Sequence, residues 1–495
     1  MTGPLTRGTG ALMLALAVYF AVHVLVRLWL PGSLELDEGQ QLFLAQWLAV
    51  GYDSQPPFYN WLQYGAVQLF GDTVLALSVL KNAMLFCCFG LVALTARLVM
   101  RDERLVMTAV AGLLTLPQIA FEAQRDLTHT VAVLFAAALF MAALVATLKN
   151  PRPFTYALTG IAVGLGLLSK YNFALLPLAA GLALLPDAAF RRRLFDPRFL
   201  LTVVVALLIV APHALWFSDH VDIATGRTIG KMTRNAVDDP VRRALGGLLS
   251  LAMAVVAFSV PTIAAFWIGF GRSFLRSLRL SDPWTRMIGR MFLVILAAIA
   301  MMVLFGGVSN IKDRWLVPYL FLLPLYFSLK LALLADPVEG GSRRFARLVA
   351  VVMVGVPLAL ALRPPVQGLL GTYGKMNVAY GPAIAAILST EPRRPSLIVT
   401  DDQQMAGNLR LQAPDVPVVI PGYEHFLADE APDPARPVLI VWRQRGNPAP
   451  PFPEALRPWL AGKDPPVGSI AVPYHYGRPG DLYHFGYRWV EPQPR

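Results

Sequence analysis

Eleven apolar stretches dominate the first 362 positions of this 495-residue chain. They lie near residues 10–30, 74–96, 105–120, 128–148, 155–169, 171–186, 199–217, 245–270, 288–306, 315–334 and 346–362. A helix needs about 20 apolar residues to cross the hydrocarbon of a bilayer. Inside hydrocarbon every backbone N–H and C=O must be satisfied within the protein, which leaves helices and closed barrels. Uninterrupted runs of this length point to helices. Composition agrees: 56% of residues are hydrophobic and 15% charged, against about 45–50% and 25% for soluble domains. An ordinary soluble enzyme, a disordered chain and a disulfide-stapled secreted domain are excluded. The two cysteines, Cys87 and Cys88, are adjacent inside an apolar run and read as apolar filler.

Lys and Arg collect on the cytoplasmic side of membrane proteins. With the N-terminus inside, the inner loops and span ends hold eighteen Lys or Arg and the outer loops nine. The first apolar run lacks a small-residue cleavage site and reads as a retained span rather than a signal peptide. An odd number of spans then places the tail outside. The tail, residues 363–495, opens at Arg363-Pro364-Pro365 and is nearly neutral, so the net charge of +12 belongs to the membrane part. Its short runs at 397–400, 418–420 and 438–442 predict strands, with one helix between Asp401 and Leu411. That pattern is a small α/β domain with a βαβ start. Two domains are expected: 1–362 in the membrane and 363–495 outside it.

The outer loops carry the chemistry. Residues 31–73 contain no Lys or Arg but hold Glu35, Asp37 and Glu38 just after the first span. An amphipathic stretch, Gln40 to Val50, a turn at Tyr52 to Pro57 and a second short helix, Phe58 to Phe70, follow. These acids are either solvated residues obeying the charge rule or a carboxylate held at the membrane face as a general base. Arg125 and Asp126 follow the third span. They read as a structural ion pair with Asp126 capping the next span, or as a functional pair facing a cavity. Lys170 interrupts two apolar runs, and Lys312 and Arg314 lie in the last outer loop. The loop at 218–244 is basic on the side where basic residues are disfavoured, with Arg227, Lys231, Arg234, Arg242 and Arg243. A phosphate-bearing ligand accounts for that, because Arg and Lys pair with phosphate through charge-assisted hydrogen bonds. A solvated loop is the alternative. No basic domain faces the cytoplasm, so a nucleic-acid partner is not expected.

In this order the segments Leu36-Asp37-Glu38, Gln55-Pro56-Pro57-Phe58-Tyr59-Asn60-Trp61, Arg125-Asp126, Leu168-Ser169-Lys170 and Lys312-Asp313-Arg314-Trp315-Leu316-Val317-Pro318 resemble the GT-C glycosyltransferases. The branch most similar holds the protein O-mannosyltransferases and the bacterial lipid A aminoarabinose transferases. The resemblance covers residues 1–335, and more loosely the Val399-Thr400-Asp401-Asp402 segment. It implies a multi-span helical bundle with juxtamembrane helices in the first outer loop, in a bacterial inner membrane. It implies transfer of a sugar, with inversion, from a polyprenyl-phosphate donor on the periplasmic face. Asp37 maps to the general base or acceptor-orienting group, with Glu38 in support. Lys170, Lys312 and Arg314 map to the donor phosphate, and Arg125 and Asp126 to the cavity wall, where Gln55, Tyr59 and His213 are also expected. Aminoarabinose transferases carry Glu-Lys before the Pro-Pro turn. Here Ser54 and Gln55 stand there, which removes a metal-linked carboxylate and a donor-binding cation. No obligatory cofactor is expected. A divalent metal stays open, with His213 and His220 as available ligands.

The expected function is therefore an inverting glycosyltransferase. Its acceptor would be lipid A, lipopolysaccharide core or another envelope glycan, with galacturonic acid one option for the sugar. A transporter or flippase of a lipid-linked sugar is the alternative. It would place ionisable groups near the midplane and show repeat symmetry, whereas most ionisable residues here sit at span ends and no repeat is evident.

Overall fold

The structure is a computed structural model and describes residues 7–233, 239–335, 339–427, 433, 435–444, 451–460 and 462–491. Seven helices among the described residues are long and apolar enough to cross a membrane. Helix α1 (Arg7–Trp29) leads into α2 (Leu36–Leu44) and α3 (Phe58–Phe70) of the first loop. The remaining long helices are α4 (Val74–Val99), α5 (His129–Lys149), α6 (Phe199–Asp219), α7 (Pro240–Phe270), α8 (Pro283–Phe305) and α9 (Glu339–Leu370).

The other four apolar stretches fold as shorter or broken helices. Glu103–Thr115 and Gln118–Arg125 form a pair bent by 68°. Pro117 disfavours helical geometry at its predecessor, and Leu116 is extended (φ −93°, ψ 108°). Pro153–Leu167 and Tyr171–Leu184 are short apolar helices on either side of the break at Lys170. The stretch near 315–334 divides into Asp313–Leu316, Val317–Leu320 and Leu323–Leu331. Helix α9, by contrast, runs on through Pro364 and Pro365, so the chain is still helical where composition marks the start of the tail. Membrane helices tolerate proline where neighbouring groups satisfy the freed carbonyls.

The chain packs as two units. One comprises Met1–Ala21, Ala49–Tyr59 and Lys81–Val356; the other comprises Val22–Leu48, Asn60–Leu80 and Pro357–Arg495. In the first, α5 is the core helix, with most of its length buried. The Pro153–Leu167 helix lies against α6 through Gly160, where a Cβ would stand 2.5 Å from the Thr202 carbonyl oxygen. Small residues at such crossings let membrane helices approach closely.

The second unit contains a five-stranded sheet in the order β2-β1-β3-β5-β4. Its strands are β1 (Leu397–Val399), β2 (Val418–Val419), β3 (Val438–Gln444), β4 (Gly468–Pro473) and β5 (Leu482–Val490). Helices α10 (Tyr380–Leu388) and α11 (Gln403–Gln412) belong to the same unit. Strand β1 pairs in parallel with β2 and β3, and β3–β5 and β5–β4 are antiparallel. The first three strands, the βαβ start and the edge position of β2 after Pro417 follow the sequence pattern. Strands β4 and β5 do not, because their runs mix Pro, Gly, His and Arg with apolar residues.

The first-loop helix differs from its expected span of Gln40 to Val50. Helix α2 begins at Leu36 and ends at Leu44. Its start is set by a reciprocal cap in which the Glu38 carboxylate accepts the Glu35 N–H at 3.1 Å. Asp37 and Glu38 thus occupy the first turn, where carboxylates interact favourably with the helix dipole. Helix α2 packs on α11 with almost no space between the backbones. A Cβ at Gly407 would stand 2.1 Å from the Gly39 carbonyl oxygen, and one at Gly39 would stand 2.7 Å from the Gln404 Cα. The amide of Gln46 continues the contact past the helix end, donating to the Val418 carbonyl at 3.0 Å and accepting the Val418 N–H at 2.9 Å. It thereby occupies the outer edge of β2. Trp47 stacks on Phe426 at 4.8 Å between ring centroids. Arg410 of α11 pairs with Asp72. Burial pushes the Asp72 carboxyl up, and the guanidinium offsets part of that rise.

Gly407→Ala forces backbone against backbone and is expected to destabilise the second unit by about 1–3 kcal/mol. A detergent-solubilised sample should show a lowered midpoint of thermal unfolding. An unchanged midpoint would contradict the packing described.

Candidate functional site

Two groups of site residues emerge, one in each unit. In the second unit the chain leaves α1 through Pro31–Glu35 and enters α2. Arg27, near the end of α1, forms a two-pronged pair with Glu38: Nε to Oε1 at 2.9 Å and Nη2 to Oε2 at 2.8 Å. The same guanidinium donates to the carbonyls of Pro31 and Ser33, each at 3.1 Å. Glu38 is 2% exposed and Glu35 6%, and Glu35 is paired with Arg363 at 2.9 Å. Asp37 is only half-buried. The acidic cluster therefore divides by environment: two carboxylates are buried and paired with arginines, and the third is more accessible.

In the first unit the bent segment 118–130 is a hub of polar contacts. Gln118 lies in a wide helical turn, Gln118–Glu122, a feature common at functional sites. Its amide donates to Asp313 Oδ2 at 2.6 Å, which ties down the loop carrying Lys312 and Arg314. The Asp313 carboxylate also accepts the Arg314 N–H at 2.8 Å. Lys170 donates to the hydroxyl of Thr130 at 2.8 Å. Two residues on, the Asn172 carbonyl accepts from the Tyr319 hydroxyl at 2.6 Å. Lys81, 3% exposed within α4, donates to the Gln124 carbonyl at 3.0 Å. The Gln124 amide bonds Asn82 at 3.0 Å. Arg125 pairs with Glu122 at 2.7 Å rather than forming the expected neighbour pair with Asp126. The position before α5 is Thr128, so Asp126 is not its cap. Lys81 and His129 join this site without having been assigned a role from the sequence. An ammonium within an apolar span was the available signal for Lys81; His129, 5% exposed, gave none.

The Pro-Pro turn belongs to this unit as well. The Phe58 N–H donates to the Leu168 carbonyl at 2.9 Å, which binds the turn to the chain just before Lys170. Tyr59 is buried, with its ring 5.9 Å from that of His129. The Asp53 carboxylate is buried in the turn and accepts the Gln55 N–H at 3.2 Å. His213 holds the other side of the turn. Its Nδ1 donates to the Val50 carbonyl at 2.7 Å. Nε2 is then the acceptor, 3.1 Å from the Tyr171 hydroxyl. With both ring nitrogens engaged, His213 braces the turn. The His220 Nδ1 donates to the Trp216 carbonyl at 2.8 Å. Among the described residues no three His, Cys, Asp or Glu side chains gather as a metal site. Arg234 lies outside the described residues, as do the side chains of Arg227 and Lys231.

The buried pair at the first loop has a measurable consequence. Arg27→Met strands the Glu38 carboxylate and is expected to cost about 3–5 kcal/mol. Arg27→Met with Glu38→Leu is expected to recover much of that loss. Thermal unfolding of both variants checks this, and equal stability of the two would contradict a desolvated pair.

Comparison with known proteins places these features in a family. Residues 54–216 match the family of dolichyl-phosphate-mannose-protein mannosyltransferases. The lipopolysaccharide core galacturonosyltransferase RgtB of Rhizobium johnstonii is 46% identical over 481 residues, 96% of each chain. RgtA of the same organism, also a lipopolysaccharide core galacturonosyltransferase, is 41% identical over 488 residues, 97% of each chain. The fold is that of ArnT from Cupriavidus metallidurans, solved with undecaprenyl phosphate bound. That structure superposes with a TM-score of 0.62 at 15% identity, covering 97% of this chain and 98% of that one. The near full-length likeness to two transferases decides against a flippase, and the chain belongs to the GT-C-fold membrane glycosyltransferases, in the family of the lipopolysaccharide core galacturonosyltransferases.

Proposed function

We propose that the protein transfers galacturonic acid from a polyprenyl-phosphate donor to a lipopolysaccharide core acceptor at the periplasmic face of a bacterial inner membrane. In this reading the N-terminus is cytoplasmic. Residues 1–362 hold the transferase machinery, and 363–495 form a periplasmic domain. The Asp37 carboxylate takes the proton of the acceptor hydroxyl. The acceptor oxygen attacks the anomeric carbon, the bond from that carbon to the phosphate oxygen breaks with inversion, and polyprenyl phosphate leaves with the electron pair. Stabilising the charge that develops on the departing phosphate is the principal electrostatic task. Lys170, Lys312 and Arg314 supply it, and Arg227, Lys231 and Arg234 are assigned to the same phosphate-binding role. Arg125, Asp126, Gln55 and Tyr59 line the cavity, and His213 holds its turn. Glu38 supports Asp37 by holding the first turn of α2 through its pair with Arg27. No step requires a metal.

The observation that carries the donor assignment is the gathering of Lys81, Arg125, Lys170 and the Lys312–Arg314 loop about one stretch of chain, the bent element Gln118–Arg125 and the first turn of α5. Such a density of cations at one membrane-protein segment favours an anionic ligand. The sugar and acceptor are taken from the near full-length relatives.

The test is release of polyprenyl phosphate by purified enzyme supplied with lipopolysaccharide core and either polyprenyl-phosphate galacturonic acid or its neutral galactose counterpart. The uronic acid donor should turn over and the galactose donor should not. Equal use of both would sink the uronate assignment. Asp37→Asn is expected to lower turnover by about 100-fold or more. Full turnover in that variant would remove Asp37 from the mechanism. Lys170→Met, which deletes a charge-assisted contact, is expected to raise the donor KM by about 10–100-fold. An unchanged KM would move the phosphate site elsewhere.

A further inference from the structure

We propose that Gln404 and Asn408, two buried amides on α11, are positioning residues for Asp37, and that holding the first-loop helix in register is a task of the C-terminal domain. The proposal rests on the reading of Asp37 as the base.

The peptide groups of Leu34 lie three residues before Asp37, in the extended stretch that enters α2. Neither polar group of Leu34 is paired within a helix or strand of its own. Its N–H donates to Asn408 Oδ1 at 3.0 Å, and its carbonyl accepts from Gln404 Nε2 at 2.7 Å. Both amides are buried, Asn408 fully and Gln404 to 3% exposure. Their orientations are fixed by further bonds. Asn408 Nδ2 donates to the Gln404 carbonyl at 2.8 Å, which leaves Oδ1 for Leu34. Gln404 Oε1 accepts from the Tyr380 hydroxyl at 3.1 Å and from Arg443 Nη1. Two donors at the oxygen end turn the NH2 end toward Leu34. Arg443, at the end of β3, is itself held by Asp402 at 2.6 Å. Burial by itself would lower the Arg443 pKa; facing Tyr380 and Asp402 more than offset this, so the guanidinium stays charged. A line of hydrogen bonds thus runs from β3 through two amides to the backbone that sets the first turn of α2. The Gly39–Gly407 approach permits it, because any side chain at either position would separate α2 from α11. Packing alone would be served equally well by apolar residues at 404 and 408. Two amides whose four polar ends all meet partners specify the position of a peptide rather than its burial.

Small errors in the placement of a reacting group cost about 10–100-fold in rate, and the test reads such a loss. Gln404→Glu keeps acceptors for Tyr380 and Arg443 but cannot donate to Leu34. Asn408→Leu keeps volume and loses both bonds. Turnover is measured per folded molecule by polyprenyl-phosphate release from polyprenyl-phosphate galacturonic acid, with donor KM, thermal unfolding and an Asp37→Asn arm. Trp489→Phe is the control: it removes the indole bond to Thr390 (3.0 Å) in the same domain without touching Leu34. Gln404→Glu and Asn408→Leu should each lower kcat by about 10–100-fold with donor KM within about twofold, while Trp489→Phe keeps wild-type kcat. If kcat per folded molecule is unchanged in both amide variants while Asp37→Asn is inactive, the amides are structural only and the proposal falls alone. An equal loss in Trp489→Phe would also overturn it, by showing sensitivity to domain stability in general. Full turnover in Asp37→Asn would overturn the base assignment and the proposal together.

Discussion

The passage from α1 into α2 is the constraint on which the second unit depends. Between Pro31 and Glu35 the chain is neither helix nor sheet, yet much of it is buried, so its peptide groups must find partners outside regular secondary structure or at the start of α2. A buried peptide group without a partner is costly. Here Arg27 takes two carbonyls, the α11 amides take both polar groups of Leu34, and Arg363 takes the Glu35 carboxylate. The pair between Arg27 and Glu38 then fixes the first turn of α2. Each partner comes from a different stretch of sequence. These partners join α2 and its entry to the tail within the second unit.

The first unit meets the same requirement differently. Pro117 breaks a span, and the freed polar groups and side chains of 118–130 become the attachment points for three distant stretches: α4 through Lys81, the break at Lys170, and the last loop through Asp313. Segments that interrupt a membrane helix are tolerated only where protein or a polar cavity surrounds them. The same break that costs helix continuity therefore creates a local density of polar groups. The turn at 50–57, with His213 on one side and the Leu168 carbonyl on the other, extends that density to Asp53 and Tyr59.

Much of the fold was legible because hydrophobic runs of span length have few alternatives. The seven long helices and the first three strands with their helix fall on the expected segments. For several polar residues, adjacency in sequence does not indicate the partner. Glu38 reads as a companion of Asp37, but its carboxylate is committed to an arginine eleven positions back and to the cap of α2. Arg125 adjoins Asp126 in sequence yet pairs with Glu122, because residues three apart face each other on a helix. His213 reads as a spare ligand, but both its nitrogens are used in bracing a turn. Strands β4 and β5 lack the β-branched runs that marked the others; β5 pairs along the edge of β3, and β4 along the far edge of β5.

The sequence by itself determined the membrane class, the charge-marked loops and the order of motifs that identifies the transferase family. These are properties of composition and local periodicity, which burial in hydrocarbon enforces segment by segment. Only the tertiary structure decided which carboxylate of the acidic loop is left accessible, which cations gather on one bent segment, and what the tail holds in place. Those outcomes depend on hydrogen bonds between residues tens to hundreds of positions apart. A linear pattern does not encode such pairings, because any buried polar group accepts whichever partner the packing brings within reach.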